Sequence, residues 1–239
     1  MKYEKDSLTS YTLGAFPTFE LLLNKPEKVI SVYFHEKIKY TEDINKIIAY
    51  CKEQNIPFKQ NTKLINSIAS KDNVFIMAEF KKFNDNLQDG NQIVLVNPSD
   101  MGNVGTIMRT ALGFGYKNLI VITPCVDLFN PKVIRSSMGA IFSLNIKHYN
   151  SFEEYVKENE NIEKYLFMLD GKNILQDLTI NNNYHALVFG NEATGLDNDL
   201  KKYGETVLIK HTNKIDSLNL SISIGIAIYE FSKKHINNK

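Results

Sequence analysis

The chain has 239 residues and a formal net charge of +1 at pH 7, with 43% hydrophobic and 11% aromatic residues. This apolar content supports a folded core and excludes a disordered chain, and the length allows one large or two small domains. Because basic and acidic residues nearly balance, a basic tail or block is excluded, and any affinity for nucleic acid must come from local patches.

The first third of the chain alternates between strand-like and helix-like segments. Strands are predicted at residues 29–34, 56–60 and 73–80. Residues 41–55 carry apolar side chains at helical spacing, with Thr41 as the expected N-cap, and residues 62–70 predict a short helix. This β-α-β-α-β alternation is typical of a small α/β unit.

A polar, aperiodic stretch at residues 83–92 contains an Asp-Gly pair and is predicted to be a linker. The chain then restarts with a buried-type strand at 92–97 and a helix at 103–114. Further strands are predicted at residues 118–123, 165–170, 185–190 and 206–210. Together with a final helix at 217–234, these segments predict an open α/β sheet with helices on its faces.

Three loops of unusual composition follow predicted strands. They span residues 97–103, 190–195 and 210–219. Ligands bind at the carboxyl ends of strands in open α/β sheets, so we expect the three loops to form one composite site. Each loop also has a purely structural interpretation. The first fits a helix start with Asn103 as N-cap ahead of Arg109. The others fit a strand-to-helix turn carrying Glu192 and a helix capped near Ser217 and Asn219.

Arginine is rare in this chain. Only Arg109 and Arg135 are arginines among 28 basic residues, and all the others are lysines. A guanidinium group holds a phosphate or carboxylate in two parallel hydrogen bonds, which an ammonium group cannot do. These two positions are therefore predicted to need arginine.

The remaining sequence features concern cofactors and location. The five histidines and two cysteines lack metal-binding spacing, so no metal site is predicted. The sequence contains neither a dinucleotide-binding G-x-G-x-x-G motif nor a G-x-S-x-G nucleophile motif. No apolar segment reaches the roughly 20 residues that span a bilayer, and the cysteines are too few for a disulfide framework. We therefore expect a cytoplasmic protein without membrane contact or an export signal.

Four segments stand in a characteristic order: NPSDMGNVGTIMRTALGFG, IRSSMGA, VFGNEATGL and SLNLSISIGI. In combination they resemble the SpoU (TrmH) family of SPOUT RNA methyltransferases over about residues 92–235. Residues 1–85 are similar, more loosely, to a ribosomal-protein-like α/β domain that binds RNA. The resemblance implies an RNA-binding domain at 1–85, followed at 86–239 by a SPOUT methyltransferase domain with a C-terminal trefoil knot.

The resemblance also implies an activity. It predicts an S-adenosylmethionine-dependent RNA ribose-2′-O-methyltransferase that acts as a homodimer with the site at the subunit interface and needs no metal. Its substrate is RNA because DNA lacks the 2′-hydroxyl. Catalytic positions carried over from the family are Arg109, Asn103, Glu192, Ser217 and Asn219. Positions expected to contact the cofactor are Gly190, Ile209, Leu218 and Asn219. Arg109 and Arg135 are expected to bind RNA.

Several alternatives stay open. Arg109 could act as a general base or as a phosphate clamp, and the clamp asks less of a guanidinium that is effectively always charged. The N-terminal domain favours large-subunit rRNA over tRNA as the substrate. The family commonly has Ile-Pro-Met where this chain has Ile209-Lys210-His211, which is expected to alter cofactor affinity. A non-catalytic RNA-binding or ribosome-assembly protein on the same fold is therefore an alternative, and a nucleotide-dependent oxidoreductase is a weaker one.

Overall fold

The computed structural model of the protein describes residues 3–69, 73–180 and 184–236. The chain divides into two compact units, and the first contains Met1–Phe83 together with Asp127–Ser143. The second contains Asn84–Val126 and Leu144–Lys239. Residues 127–143, which lie inside the predicted methyltransferase domain, thus belong by their contacts to the first unit. The predicted domain boundary after residue 85 stays a prediction.

The first unit contains a four-stranded sheet. Its strands, numbered in chain order, are β1 (Thr9–Tyr11), β2 (Val29–Phe34), β3 (Phe58–Gln60) and β4 (Ile76–Lys81). They lie in the order β1-β4-β2-β3, with β4 antiparallel to both neighbours and β3 parallel to β2. The helices are α1 (Ala15–Asn24), α2 (Glu42–Glu53), α3 (Thr62–Ala69) and α5 (Pro131–Ser136). The three strands and two helices predicted from the first third of the sequence are confirmed within a few residues.

The first unit also holds elements that the sequence did not predict. Strand β1 has three residues, and α1 begins after Gly14, which makes no side-chain cap hydrogen bond. Strand β1 is too short to show an alternating pattern, and α1 lacks the usual N-cap signal. Thr41 stands at the N-cap position of α2 as predicted, but its side chain makes no capping hydrogen bond. The buried face of α2 consists of Ile44, Ile47 and Cys51, as its helical spacing predicts.

Aromatic packing explains why residues 127–143 belong to the first unit. Phe80 on β4 packs against Phe142, with ring centroids 5.2 Å apart, and Phe83 packs against Phe129 at 4.9 Å. The Tyr3 hydroxyl donates to the carboxylate of Asp127. These contacts join segments far apart in sequence, so no local pattern could have predicted them.

The second unit is built on a seven-stranded parallel sheet. Its strands are β5 (Gln92–Val96), β6 (Asn118–Ile122), β7 (Asn145–Tyr149), β8 (Glu163–Phe167), β9 (Asn173–Ile174), β10 (His185–Phe189) and β11 (Glu205–Leu208). Its α-helices are α4 (Met101–Gly113), α6 (Phe152–Glu158) and α7 (Leu220–Ile236). The predicted α/β class is confirmed, and every residue of β6 and β10 is buried, as expected for strands covered on both faces. Among the described helices, none is both long and apolar enough to cross a membrane.

The strand order places a crevice at the centre of this sheet. The order is β7-β6-β5-β10-β8-β11-β9. From β5 the chain moves outward through β6 and β7, whereas β10 and β8 lie on the other side. The reversal between β5 and β10 is a topological switch point, where open parallel sheets bind ligands at the carboxyl ends of their strands. The C-terminal trefoil knot implied by the resemblance stays a prediction.

Candidate active site

The Glu192 carboxylate lies at this switch point. It follows β10 and accepts four hydrogen bonds from the loop that follows β5. The donors are the Ser99 backbone N–H (3.0 Å), the Ser99 hydroxyl (2.6 Å), the Asp100 backbone N–H (3.1 Å) and the Asn103 side-chain amide (3.4 Å). Partial burial raises the pKa of Glu192, but the Ser99 hydroxyl and the backbone N–H groups outweigh it, so this pKa lies below its ordinary value. Glu192 is therefore an ionised carboxylate held in one orientation.

A further hydrogen bond connects Asn103 to the start of the C-terminal helix. The Asn219 side-chain amide donates to the Asn103 side-chain oxygen at 3.0 Å. The side-chain oxygen of Asn219 accepts the backbone N–H of Ser221 at 2.9 Å and its hydroxyl at 2.7 Å, so Asn219 also caps the start of α7. The structure thus brings together three of the predicted catalytic residues in one chain of hydrogen bonds, Glu192–Asn103–Asn219, which we call the polar network.

The prediction that Asn103 caps α4 was wrong. Asp100 is the N-cap, and its carboxylate accepts the backbone N–H of Asn103 at 2.7 Å. Asn103 stands in the first turn of the helix, where its side chain is free of the capping role and can bridge Glu192 and Asn219. The sequence did not identify Ser99 and Asp100 as hydrogen-bond donors to Glu192. Their only signal was their position directly after a buried strand.

Glycines shape the loop that carries Glu192. Asn191 and Gly195 exchange two backbone hydrogen bonds of 3.2 and 2.9 Å, which close a tight turn. A Cβ atom on Gly190 would lie 2.1 Å from the carbonyl carbon of Gly195, so only glycine fits at position 190. The Asn191 side-chain amide donates to the carbonyl of Asn97 at 2.8 Å and ties the turn to the end of β5. This bracing fixes the position of Glu192.

A cavity of about 480 Å³ opens beside the polar network within the second unit. Phe167 and Phe189 line it, and their rings stack with centroids 4.3 Å apart and planes inclined by 8°. Of the predicted site residues, those that line it are Gly190, Glu192, Ile209, Ser217 and Leu218. The volume and a lining that mixes apolar and polar side chains fit a small-molecule site.

His211 also lines the cavity, in the loop that departs from the family pattern. Its ring Nδ1 lies 2.9 Å from the carbonyl oxygen of Ile209. This contact holds the histidine ring against the backbone of the loop that departs from the family pattern.

The two arginines lie outside the polar network. Arg109 is exposed on α4 and does not line the cavity. Within the described part of the chain its side chain makes no hydrogen bond or ion pair, so the guanidinium is available to a ligand. Arg135 lies on α5 in the first unit.

An apolar surface is exposed where α4 and α7 pack together. Phe114, Ile222 and Tyr229 are 45%, 56% and 51% exposed. Ile222 and Tyr229 stand seven residues apart on the same face of α7, and the rings of Phe114 and Tyr229 lie 6.4 Å apart. We call these three side chains the α4–α7 patch.

The fold and site define an α/β protein with a cavity of small-molecule size at the carboxyl ends of a parallel sheet, next to a fixed carboxylate–amide network. The model of the SpoU rRNA Methylase family matches residues 90–229. This is more than half of the chain, which therefore belongs to the SpoU rRNA Methylase family, as the sequence predicted.

Individual relatives add detail. The 23S rRNA (adenosine(1067)-2′-O)-methyltransferase of Streptomyces azureus is 26% identical over 198 residues, 78% of this chain and 73% of that protein. The AdoMet-bound rRNA methyltransferase of Sinorhizobium meliloti has the same fold, with a TM-score of 0.81 at 22% identity over 95% of this chain and 88% of that chain. A structure concerned with 2-OH methylation of C/U34 on tRNA has a TM-score of 0.57 at 25% identity, over 62% of this chain and 97% of that one.

Coverage differs among the curated relatives. The chain spans only about half, 51%, of the length of one tRNA/rRNA methyltransferase, from Synechocystis, that it matches.

Proposed function

We propose that this chain transfers a methyl group from S-adenosylmethionine to a ribose 2′-hydroxyl of structured RNA, with large-subunit rRNA as the substrate. The observation that carries this proposal is the polar network Glu192–Asn103–Asn219 next to the 480 Å³ cavity. Family membership and the activities named for the relatives support the same reaction.

The cavity residues fit S-adenosylmethionine. Phe167 and Phe189 form a buried stacked pair that contributes an apolar edge to the cavity wall, against which a purine can pack. Gly190, Ile209 and Leu218 line the cavity around them, and we assign main-chain contacts with the cofactor to these three residues. When bound, the cofactor supplies a methyl group already activated by its sulfonium centre. The nearby ionised Glu192 provides a negative field that suits a cationic ligand.

The polar network then has a positioning role. A ribose 2′-hydroxyl is a poor nucleophile until its proton is removed or polarised, so the site must align the attack and handle one proton. Glu192 already accepts four hydrogen bonds, which suits it to holding Asn103 in place rather than to taking up a proton. Asn103 and Asn219 present fixed amide groups to the ribose, and Ser217 adds a hydroxyl at the cavity wall.

Arg109 is assigned to the RNA. Its guanidinium is exposed and has no partner among the described residues, as a group that waits for an incoming phosphate must be. A phosphate held in two hydrogen bonds would orient the adjacent ribose without requiring Arg109 to lose a proton. This favours the clamp over the general base.

We include a cytoplasmic homodimer with a trefoil-knotted catalytic domain in this proposal. The α4–α7 patch supports the dimer, because exposed apolar clusters on soluble proteins commonly mark interaction surfaces. Since Arg109 is exposed on the same helix, α4, and does not line the cavity, a dimer through this helix pair would place the arginine close to the interface.

Coverage supports rRNA over tRNA. The rRNA methyltransferase of S. meliloti corresponds to 95% of this chain. The tRNA-related structure matches only 62% of this chain, although the match includes 97% of that structure's own chain. The additional part of this protein is available for binding a larger RNA, and we assign that role to the first unit, including Arg135.

The direct test incubates the purified protein with radiolabelled S-adenosylmethionine and unmodified transcripts of large-subunit rRNA and tRNA. We expect label in one 2′-O-methylated nucleotide of the rRNA. Label in tRNA alone would preserve the reaction and contradict the substrate. RNA binding without any affinity for S-adenosylmethionine by calorimetry would favour a non-catalytic RNA-binding protein, the alternative suggested by Lys210 and His211.

A further inference from the structure

Two carboxylates line the cavity within the described part of the chain, Asp170 and Glu192. Glu192 is occupied by its four hydrogen bonds. Asp170 makes an ion pair with Lys201 through one oxygen, and its side chain is still 61% exposed. Asp170 is therefore the cavity carboxylate that remains accessible to a ligand.

The sheet fixes where Asp170 lies relative to the polar network. Asp170 follows β8, which is flanked by β10 and β11. The network joins the loops after β5 and β10, on the other side of β10. Neighbouring strands lie about 4.8 Å apart, so the end of β8 is one strand spacing from the end of β10 and two from the end of β5, and Asp170 follows the strand next to the network.

This separation assigns the two halves of the cofactor, given the proposed function. The sulfonium centre that carries the reacting methyl group must face the network, and the two halves of the cofactor extend away from it. We place the nucleoside half toward the ends of β8 and β11, where Phe167 lines the cavity. Asp170 stands beside this second half.

We infer that Asp170 binds the ribose hydroxyls of S-adenosylmethionine. A carboxylate accepts hydrogen bonds from the hydroxyls of a nucleoside ribose, as acidic residues do in dinucleotide sites. The inference rests on the proposed function, since it presupposes that the cavity holds this cofactor.

Lys201 prepares Asp170 for this role. The hydrogen bond from its ammonium group lowers the pKa of Asp170, so the carboxylate is ionised at neutral pH. Because Lys201 engages one oxygen of the carboxylate, it also restricts the orientation of the group. Ammonium recognition is the competing role, because the methionyl half of the cofactor carries an α-ammonium group.

The test measures binding of three probes to the full chain by calorimetry. S-adenosylhomocysteine has both the ribose hydroxyls and the amino acid. 5′-Methylthioadenosine keeps the adenosine with its ribose hydroxyls but lacks the amino acid. The 2′-deoxy analogue of 5′-methylthioadenosine also lacks one of the two ribose hydroxyls. The variants are Asp170→Asn and, as a matched control, Asp199→Asn, which removes an exposed carboxylate that does not line the cavity.

We expect Asp170→Asn to weaken S-adenosylhomocysteine and 5′-methylthioadenosine alike, by about tenfold or more. Asp199→Asn should stay within about twofold of the wild type for both. The 2′-deoxy analogue should bind the wild type about tenfold more weakly than 5′-methylthioadenosine, and this difference should shrink in Asp170→Asn.

Three results would overturn the inference in distinguishable ways. A loss confined to S-adenosylhomocysteine would assign Asp170 to the ammonium group. Unchanged affinities in Asp170→Asn would remove it from cofactor binding. Failure of the wild-type protein to bind either parent probe would refute the proposed function itself, and the inference with it.

Discussion

Replacing Glu192 by glutamine tests the polar network with the smallest change of shape. Each carboxylate oxygen of Glu192 accepts two hydrogen bonds, one pair from Ser99 and the other from Asp100 and Asn103. A glutamine has one oxygen, and its NH₂ group must face one of these pairs. In either orientation at least one backbone N–H then meets a donor instead of an acceptor.

The expected size of the effect follows from these contacts. A buried donor left without an acceptor costs roughly 1–3 kcal/mol, and Glu192 is only partly buried, so we expect Glu192→Gln to lose about 2 kcal/mol of unfolding free energy. Asn103 could restore one bond by turning its amide over, but this would break its hydrogen bond with Asn219. If the displaced Asn103 amide removes about 2 kcal/mol of transition-state stabilisation, the methylation rate falls about 30-fold.

The assay pairs urea unfolding with single-turnover methyl transfer from labelled S-adenosylmethionine. Asp177→Asn is the matched control, because Asp177 is an exposed carboxylate of the same unit that does not line the cavity. The control should behave like the wild type in both assays. Wild-type stability together with wild-type methylation in Glu192→Gln would refute the positioning role of the network.

Three further outcomes follow from the structure. The pKa of Glu192 is lower in the folded protein, so its contribution to the unfolding free energy should be complete above about pH 5 and disappear as the pH falls through the folded-state pKa. The unfolding free energies of the wild type and Glu192→Gln should therefore converge in acid. A constant difference between them down to about pH 3 would contradict this. Gly190→Ala should lower the unfolding free energy by more than about 3 kcal/mol, since its Cβ would meet the Gly195 backbone. Gly195→Ala, at φ 69° in open space, should lower it by only about 1–2 kcal/mol. Equal losses for the two variants in urea unfolding would contradict this difference. Arg109→Lys should keep cofactor affinity and unfolding free energy but reduce methylation at least about tenfold, and full activity would show that two parallel hydrogen bonds to phosphate are not needed.

The parts of the fold that rest on local patterns could be predicted. The run His185–Phe189 is apolar in its core and flanked by turn residues, and it forms the fully buried strand β10. The loops carrying Asn103, Glu192 and Asn219 were expected to meet because parallel strands present their carboxyl ends at one edge of the sheet. The hydrogen bonds among these three residues are consistent with that expectation.

Features that depend on distant contacts or on competing local choices could not be predicted. Asp100 and Asn103 are both good N-cap residues, and only the backbone conformation decides that Asp100 takes the role. The grouping of residues 127–143 with the first unit depends on ring contacts such as Phe80 with Phe142. The place of Asp170 at the cavity depends on β8 lying between β10 and β11, a strand order that no local pattern encodes.

The central claim is tested most directly by mapping ribose 2′-O-methylation across total rRNA and tRNA from cells with and without this gene. We expect the loss of one site in large-subunit rRNA, restored by the wild-type gene and restored poorly by Glu192→Gln. Identical methylation maps, from cells in which the protein is detectably expressed, would contradict it.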